Sequence, residues 1–377
     1  GGGASAAPRA RPPPPPPRAA AGRPAGESAQ PSAPDAPDGW TAPRGTLLVT
    51  GGTGALGAHV ARWLARAGAE HLLLVGRRGS GAPGAQELSD ELEGLGTRVT
   101  VAACDVADRD ALAALLAAVP AEHPLTGVVH AAGVLDDGVL EGLTADRFDA
   151  VLRAKAVSAS NLHELTAGYD LALFVLFSSI TGVLGNPGQA NYAAANAYLD
   201  ALAEHRRAAG LPATAVAWGP WAGGGMAGDH PGLTGRMRRS GLAPMDPERA
   251  VAALRRALLA DASGLTVADV DWSALAPVLT AARPSALIAD LPEVRRAVPE
   301  GIATTTTGSP LAEQLRGRGA DEQERLLLEL VRTEAAAVLG HASTATVDAA
   351  RAFRDLGFDS LTAVELRNRL TAATGLR

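Results

Sequence analysis

From Thr46 onward, short apolar runs alternate with stretches of helical periodicity. TLLVT (46–50), HLLLVG (71–76), RVTVAACDV (98–106) and LTGVVHAAG (125–133) read as strands. Between them, ALGAHVARWLARAG (55–68), QELSDELEGLG (86–96) and RDALAALLAAV (109–119) carry the apolar spacing of helices. The alternation continues with a helix around 145–167, the strand FVLFSSI (174–180), a helix from about Ala190 to Ala209 and the strand ATAVAWG (213–219). Helical stretches near 246–260 and 271–280 then flank a further strand, GLTVADV (264–270). Continuous apolar strands alternating with helices predict βαβ units and a parallel sheet covered on both faces. Residues 45–290 therefore predict one doubly wound, Rossmann-like α/β domain.

The flanks follow different patterns. Residues 1–44 are Pro/Ala-rich and offer almost nothing to bury, so they predict a disordered linker or tail. Residues 291–320, with a Thr run, Gly and Pro, predict a second linker. Beyond it, EQERLLLELVRTEAAAVLG (322–340) is a strongly amphipathic helix, and SLTAVELRNRLTAAT (360–374) is another. Two helices enclose no core of their own.

Composition narrows the function. The chain has 377 residues, 34 Lys+Arg, 40 Asp+Glu and a formal net charge of −6. That mildly acidic balance argues against nucleic acid as the main partner. A single cysteine, Cys104, excludes an intrachain disulfide framework and a Cys-rich zinc site, and suits a reducing, cytoplasmic setting. No apolar run reaches the roughly 18–20 residues of a membrane span. Nor do the N-terminal arginines precede the apolar core of a secretory signal. Of the basic residues only one, Lys155, is lysine.

The first strand runs straight into Thr50-Gly51-Gly52-Thr53-Gly54-Ala55-Leu56-Gly57. Gly51, Gly54 and Gly57 have G-x-x-G-x-x-G spacing between a strand and a helix, the context of a dinucleotide site. Gly51 permits the tight turn, Gly54 lets backbone approach a pyrophosphate, and Gly57 is expected to let the helix pack closely on the sheet; Thr53 and Leu56 complete the turn. At the end of the second strand an acid would bind the ribose hydroxyls of NAD. This chain has Arg77 and Arg78 there, which suit the 2′-phosphate of NADP(H). Asp105 and Val106 follow the third strand, where Asp105 is placed to accept from the adenine amino group. Ala131, Ala132 and Gly133 follow the fourth and leave room for adenosine or ribose.

Reducing a ketone also needs a proton donor at the carbonyl oxygen. Tyr192 opens a predicted helix, with Asn196 one turn later on the same face. Ser178 and Ser179 end a strand on the crevice side of the sheet. A phenol is a poor acid at neutral pH unless a nearby ammonium stabilises the phenolate, and Lys155 is the only lysine available.

With GGTGALG at the start, CDV at 104–106, HAAGVLDDG at 130–138, Lys155, FSS at 177–179, YAAAN at 192–196 and WGPWAGGGMA at 218–227, residues 45–290 resemble the catalytic half of a ketoreductase of a modular type I polyketide synthase, within the short-chain dehydrogenase/reductase family. Most short-chain dehydrogenases have Tyr-x-x-x-Lys; here the fourth position is Asn196 and the lysine lies upstream, an exchange that marks these ketoreductases. The family's serine lies 13 residues before the tyrosine, which selects Ser179. The resemblance implies that Tyr192 donates the proton, Ser179 holds the substrate oxygen, Lys155 tunes Tyr192, and Asn196 supports a proton-relay water.

Leu135-Asp136-Asp137 resembles the motif that marks B-type members and directs the substrate in from one side; Pro187 and Asn191 fit that type, and Leu184 stands where the A-type has Trp. The implied reaction is NADPH-dependent reduction of a carrier-bound 3-ketoacyl thioester to a D-configured 3-hydroxyacyl thioester. The alternatives are reduction of a free small ketone and a non-catalytic scaffold role. The Gly-rich stretch 223–245 has the composition of a lid over the substrate or of an ordinary mobile loop. FRDLGFDSLTAVELRNRL resembles the acyl-carrier-protein motif around the serine that receives 4′-phosphopantetheine, here Ser360. Residues 321–377 are thus expected to be the N-terminal part of a carrier domain. The implied partners are other synthase domains and a phosphopantetheinyl transferase, with no metal, nucleic acid or membrane.

Overall fold

The structure, a computed structural model, describes residues 40–224, 241–280, 284–298, 310–339, 343–356, 358 and 360–375. The expected strands form one sheet. They are β1 (Thr46–Thr50), β2 (His71–Gly76), β3 (Arg98–Ala103), β4 (Leu125–His130), β5 (Leu173–Ser179) and β6 (Thr214–Trp218). Among the described residues, short strands β7 (Leu242–Ala243), β8 (Gly264–Val267) and β9 (Asp269–Val270) follow. The large sheet is parallel, in the order β3-β2-β1-β4-β5-β6-β8. Helices α1 (Ala55–Arg66), α2 (Ala85–Gly94), α3 (Arg109–Ala117), α4 (Ala145–Leu152), α5 (Ser158–Leu165), α6 (Ile180–Leu184) and α7 (Ala190–Ala208) supply the crossovers.

Continuous apolar strands require cover on both faces, and two cores provide it. Leu47, Val49, Leu72, Leu74 and Val216 face one layer with Val60 and Leu64 of α1. Leu48, Leu73, Val128, Phe174 and Leu176 face the other with Leu162 of α5 and Leu199 of α7. Burying each such side chain stabilises the fold by roughly 1.5–3 kcal/mol. Asp108 caps α3 by accepting from the Asp110 and Ala111 amides, which adds about 1 kcal/mol.

Four expectations change in detail. The predicted strand 264–270 breaks at Ala268: β8 continues the parallel sheet, while β9 pairs antiparallel with β7. The predicted helix around 145–167 carries a π-helical turn, Arg153–Val157, between α4 and α5. The end of the predicted N-terminal linker is packed: Trp40 stacks on Trp63 with ring centroids 4.5 Å apart, and the Ala42 amide donates to the Ala67 carbonyl. An aromatic ring and an apolar methyl have somewhere to go, and the neighbouring Pro/Ala composition hides them. Likewise the helix Pro292–Ala297, inside the predicted second linker, buries Val294 with Ala276 and Ile288.

Farther on, the expectation that the two last helices enclose no core is corrected: helices Ala320–Leu339 and Ser360–Thr374 pack through Ala335, Ala336, Val338 and Leu366, and Val347 and Phe358 from the connecting segment complete a small buried cluster. Ser360 begins the second of these helices. Most of the predicted lid, 225–240, lies outside the described residues.

Candidate active site

The strand order reverses direction between β1 and β4, which opens a crevice at their C-terminal ends. The glycine turn, the Ala131-Ala132-Gly133 segment and Ser179 all lie at that edge of the sheet.

The turn from β1 to α1 is a cradle that side chains would fill. Gly51 has φ +67°, the left-handed region that favours glycine, and a Cβ on it would sit 3.0 Å from the Ala132 backbone. A Cβ on Gly57 would lie 2.1 Å from the Gly51 carbonyl oxygen, and one on Gly54 would lie 3.2 Å from the same atom. Gly57 thus lets α1 close onto the turn itself rather than onto the sheet. Gly54 is the N-cap of α1 and supplies no side-chain cap, so the helix N-terminus faces the cradle without a competing acceptor. These residues fit a dinucleotide pyrophosphate. Thr53 and Leu56 are partly exposed in the same turn.

Arg77 and Arg78 are exposed just past β2, and neither guanidinium pairs with another described residue. Asp105 is already engaged. It accepts from the Ala107 amide at 3.1 Å and pairs with Arg153 at 3.2 Å. The buried Val106 offers its carbonyl to Asn161. Gly133 is required by Lys155, whose Cε would lie 2.9 Å from a Cβ at that position.

Lys155, Ser179, Tyr192 and Asn196 come together from three segments, the π turn, the end of β5 and α7, and are all buried. Lys155 lies on the π-helical turn, and its Nζ donates to the Phe177 carbonyl of β5 at 2.7 Å. The same Nζ is 5.3 Å from the centroid of the Tyr192 ring. Burial pushes the Lys155 ammonium down to about 7, with Asp200 pulling it back up. Burial also raises the Tyr192 phenol, and the side chains of Asn196 and Ser179 oppose that rise. The phenol is therefore held above its ordinary value, with burial as the largest cause.

Ser179 ends β5 and caps α6, its Oγ accepting from the Thr181 amide at 3.2 Å. Ser178 is spent on the Asn196 carbonyl, which leaves Ser179 as the serine of the crevice. The Asn196 amide donates to the Tyr192 carbonyl, while its Oδ1 is buried without a partner. An orphaned buried acceptor is costly and marks a place for a water or ligand hydrogen.

The expected stereocontrol residues divide. Leu135 packs on Tyr192, Val151 and Ala195. Asn191 is buried, and its amide donates to the Asp136 carbonyl at 2.9 Å. Pro187 is exposed on the turn that leads to α7.

Sequence reasoning missed Asp200, a partly buried carboxylate one turn past Asn196, whose pKa is raised chiefly by burial. The i,i+4 spacing from Asn196 was the available signal. It also missed His130, fully buried between the Thr50 hydroxyl (2.7 Å) and the Lys155 carbonyl (3.2 Å), with its pKa pushed down to about 3 by burial.

A doubly wound sheet with a glycine cradle at its switch point and a buried Ser-Tyr-Lys-Asn set beside it defines a short-chain dehydrogenase/reductase. Residues 45–223 match the KR domain family, and residues 329–377 match the family described as phosphopantetheine attachment site. The chain is 55% identical over 341 residues to the polyketide synthase GfsB of Streptomyces halstedii, covering 90% of this chain and 6% of that protein. It is 50% identical over 345 residues to the pikromycin polyketide synthase component PikAIII of Streptomyces venezuelae, covering 89% and 22%. Among solved structures, an A-type ketoreductase from a modular polyketide synthase superposes with a TM-score of 0.67 at 53% identity, over 71% of this chain and 57% of that one. A C2-type ketoreductase superposes with a TM-score of 0.63 at 44% identity, over 69% and 55%. The chain carries a KR domain followed by a phosphopantetheine attachment site; its relatives are modular polyketide synthases and its structural neighbours are their ketoreductases. It spans less than a quarter of the length of either curated relative.

Proposed function

We propose that residues 45–290 reduce a 3-ketoacyl thioester, held on an acyl carrier protein, to a D-configured 3-hydroxyacyl thioester with NADPH. The observation that carries this reading is the buried set Lys155, Ser179, Tyr192 and Asn196 beside a glycine cradle that leaves space for a pyrophosphate. When bound, the dihydronicotinamide supplies the hydride to the β-carbon.

The chain's own residues do the rest. Ser179 holds the ketone oxygen. Tyr192 delivers its proton as negative charge develops there. Its raised pKa keeps the phenol protonated at neutral pH, and an alkoxide is a far stronger base than a phenolate, so the transfer runs downhill. Lys155 offsets the charge left on the phenolate, and Asn196 Oδ1 holds the water that returns the proton.

Arg77 and Arg78 favour NADPH over NADH through the 2′-phosphate. Asp105 reaches the adenine only in competition with Arg153. The D-configuration rests on Leu135-Asp136-Asp137, Pro187 and Asn191 of this chain, together with Leu184 in place of Trp. Ser360 is the attachment serine for 4′-phosphopantetheine, loaded by a transferase.

The test follows NADPH absorbance with a small β-ketothioester. Tyr192→Phe should abolish turnover while NADPH still quenches protein fluorescence with unchanged affinity. Full activity in that variant would remove Tyr192 from the mechanism.

A further inference from the structure

The loop after β4 is tied down by a residue that neither the motif nor the catalytic set contains. Arg147, on α4, projects its guanidinium into the loop 136–142. Its Nε and Nη2 donate to Asp136 Oδ1 at 2.8 and 2.5 Å. Nη2 also donates to the Asp137 carbonyl at 2.6 Å, and Nη1 to the Gly142 carbonyl at 3.0 Å. Gly138 lies flush against the same group, since a Cβ there would fall 2.6 Å from Nη1.

The loop's other side is fastened to the residues just before Tyr192. Gln189 Nε2 donates to Asp137 Oδ2 at 2.8 Å, the Gly138 amide donates to the Gly188 carbonyl at 2.8 Å, and Asn191 Nδ2 donates to the Asp136 carbonyl. Asn191 Nδ2 also reaches the Arg147 carbonyl at 3.4 Å. One oxygen of each carboxylate of the Asp136-Asp137 pair is therefore held by a protein side chain, which fixes how the pair is turned.

The shape of the loop is coupled to the chemistry. Leu135, immediately before the clamped residues, packs with Val151 of α4 and with Tyr192 and Ala195 of α7. An arginine that bridges one carboxylate and two carbonyls fixes three points of a loop with one planar group, which a lysine point charge does not do.

We propose that Arg147 is a positioning residue for stereochemical control: by clamping Asp136, Asp137 and Gly142 it fixes Leu135 as a wall beside Tyr192, and so decides which face of the ketone is presented. This rests on the ketoreductase reading above and deepens its stereochemical part.

The experiment uses the full chain, NADPH and a racemisation-resistant β-ketothioester, with the two 3-hydroxy products resolved by chiral chromatography. The unaltered protein is measured first. An L-configured product there would refute the D-assignment by itself and leave the clamp open to the same variants, read as a change in ratio. Arg147→Met keeps the aliphatic stem and removes every donor. It should lower the ratio of major to minor isomer by about tenfold or more, with NADPH affinity held within about twofold. Arg147→Lys should recover only part of the ratio, because one ammonium cannot span three acceptors. Asp136→Asn tests the clamp from the loop side without opening a cavity and should lower the ratio in the same direction. If Arg147→Met fails to fold, Asp136→Asn alone decides. An isomer ratio unchanged in Asp136→Asn and in any folded Arg147 variant overturns the proposal. So does a ratio that falls only in step with NADPH affinity.

Discussion

Gly57→Ala adds one methyl at the most crowded point of the cofactor cradle. The new Cβ would lie 2.1 Å from the Gly51 carbonyl oxygen and 2.8 Å from both the Gly51 carbonyl carbon and Gly52 Cα. The first of these is about 1.3 Å short of the 3.4 Å at which ordinary contact begins. The turn cannot simply retreat. Gly51 is wedged against the Ala132 backbone, and a Cβ on Gly52 would already be 2.8 Å from the Val49 carbonyl. Overpacking of this kind costs roughly 1–3 kcal/mol. For a domain of this size that lowers the melting temperature by about 2–12 °C, taking about 2–4 °C for each kcal/mol. Because the strain falls on the turn that would hold the pyrophosphate, NADPH affinity should fall by about tenfold or more.

The control is Gly94→Ala, at the end of α2, where a Cβ meets nothing within 4 Å. There the change should be neutral or stabilise by up to about 1 kcal/mol. Differential scanning fluorimetry with and without NADPH, plus fluorescence titration, measures both. If Gly57→Ala melts and binds NADPH as Gly94→Ala does, the cradle is not where these contacts put it.

Other consequences concern charge. Lys155→Arg should lose about a hundredfold or more in turnover, because Gly133 and the Phe177 carbonyl close on the ammonium and leave no width for a guanidinium; near-normal turnover would contradict this. Lys155 at about 7 and His130 at about 3 both lie below their unfolded values. The unfolded chain therefore binds more protons in each window, and stability should rise with pH, through about 3 to 6.5 for His130 and about 7 to 10.5 for Lys155. Melting temperature against pH should flatten above pH 7 in Lys155→Met and below pH 6.5 in His130→Gln; unaltered slopes would refute the assignment. Arg77→Ala with Arg78→Ala should weaken NADPH by about 10–100-fold and leave NADH nearly unchanged; equal losses for both cofactors would remove the 2′-phosphate contact.

What was legible in the sequence is what is local. The glycine spacing, the starts of the first four strands and the Tyr192–Asn196 interval are each set within one turn of chain, and the structure keeps them, while β3 and β4 end three residues sooner than the apolar runs suggest. Arg147 reaches Asp136 across 11 residues and Gln189 reaches Asp137 across 52, so neither contact leaves a periodic trace. Trp40 was concealed by its low-complexity surroundings, although its partner Trp63 sat in a recognisable helix. The strand predicted over 264–270 was right in character, but apolar alternation does not encode the change of partner at Ala268. Lys155 was singled out because it is the chain's one lysine. The backbone that carries it was not foreseen, since a π turn has no distinctive composition.

That π turn makes the site depend on a count of residues as well as on their kinds. Arg153–Val157 holds one residue more than an α-helical turn would, inserted between α4 and α5. Deleting a single alanine from it would remove no catalytic group. It would nonetheless let the segment close as an ordinary α-helical turn, which keeps α4 and α5 in phase but shifts the side chains of the turn itself, and the ammonium would no longer meet both the Phe177 carbonyl and the Tyr192 ring. In this segment a one-residue deletion should do more harm than most substitutions, and length is the property under constraint.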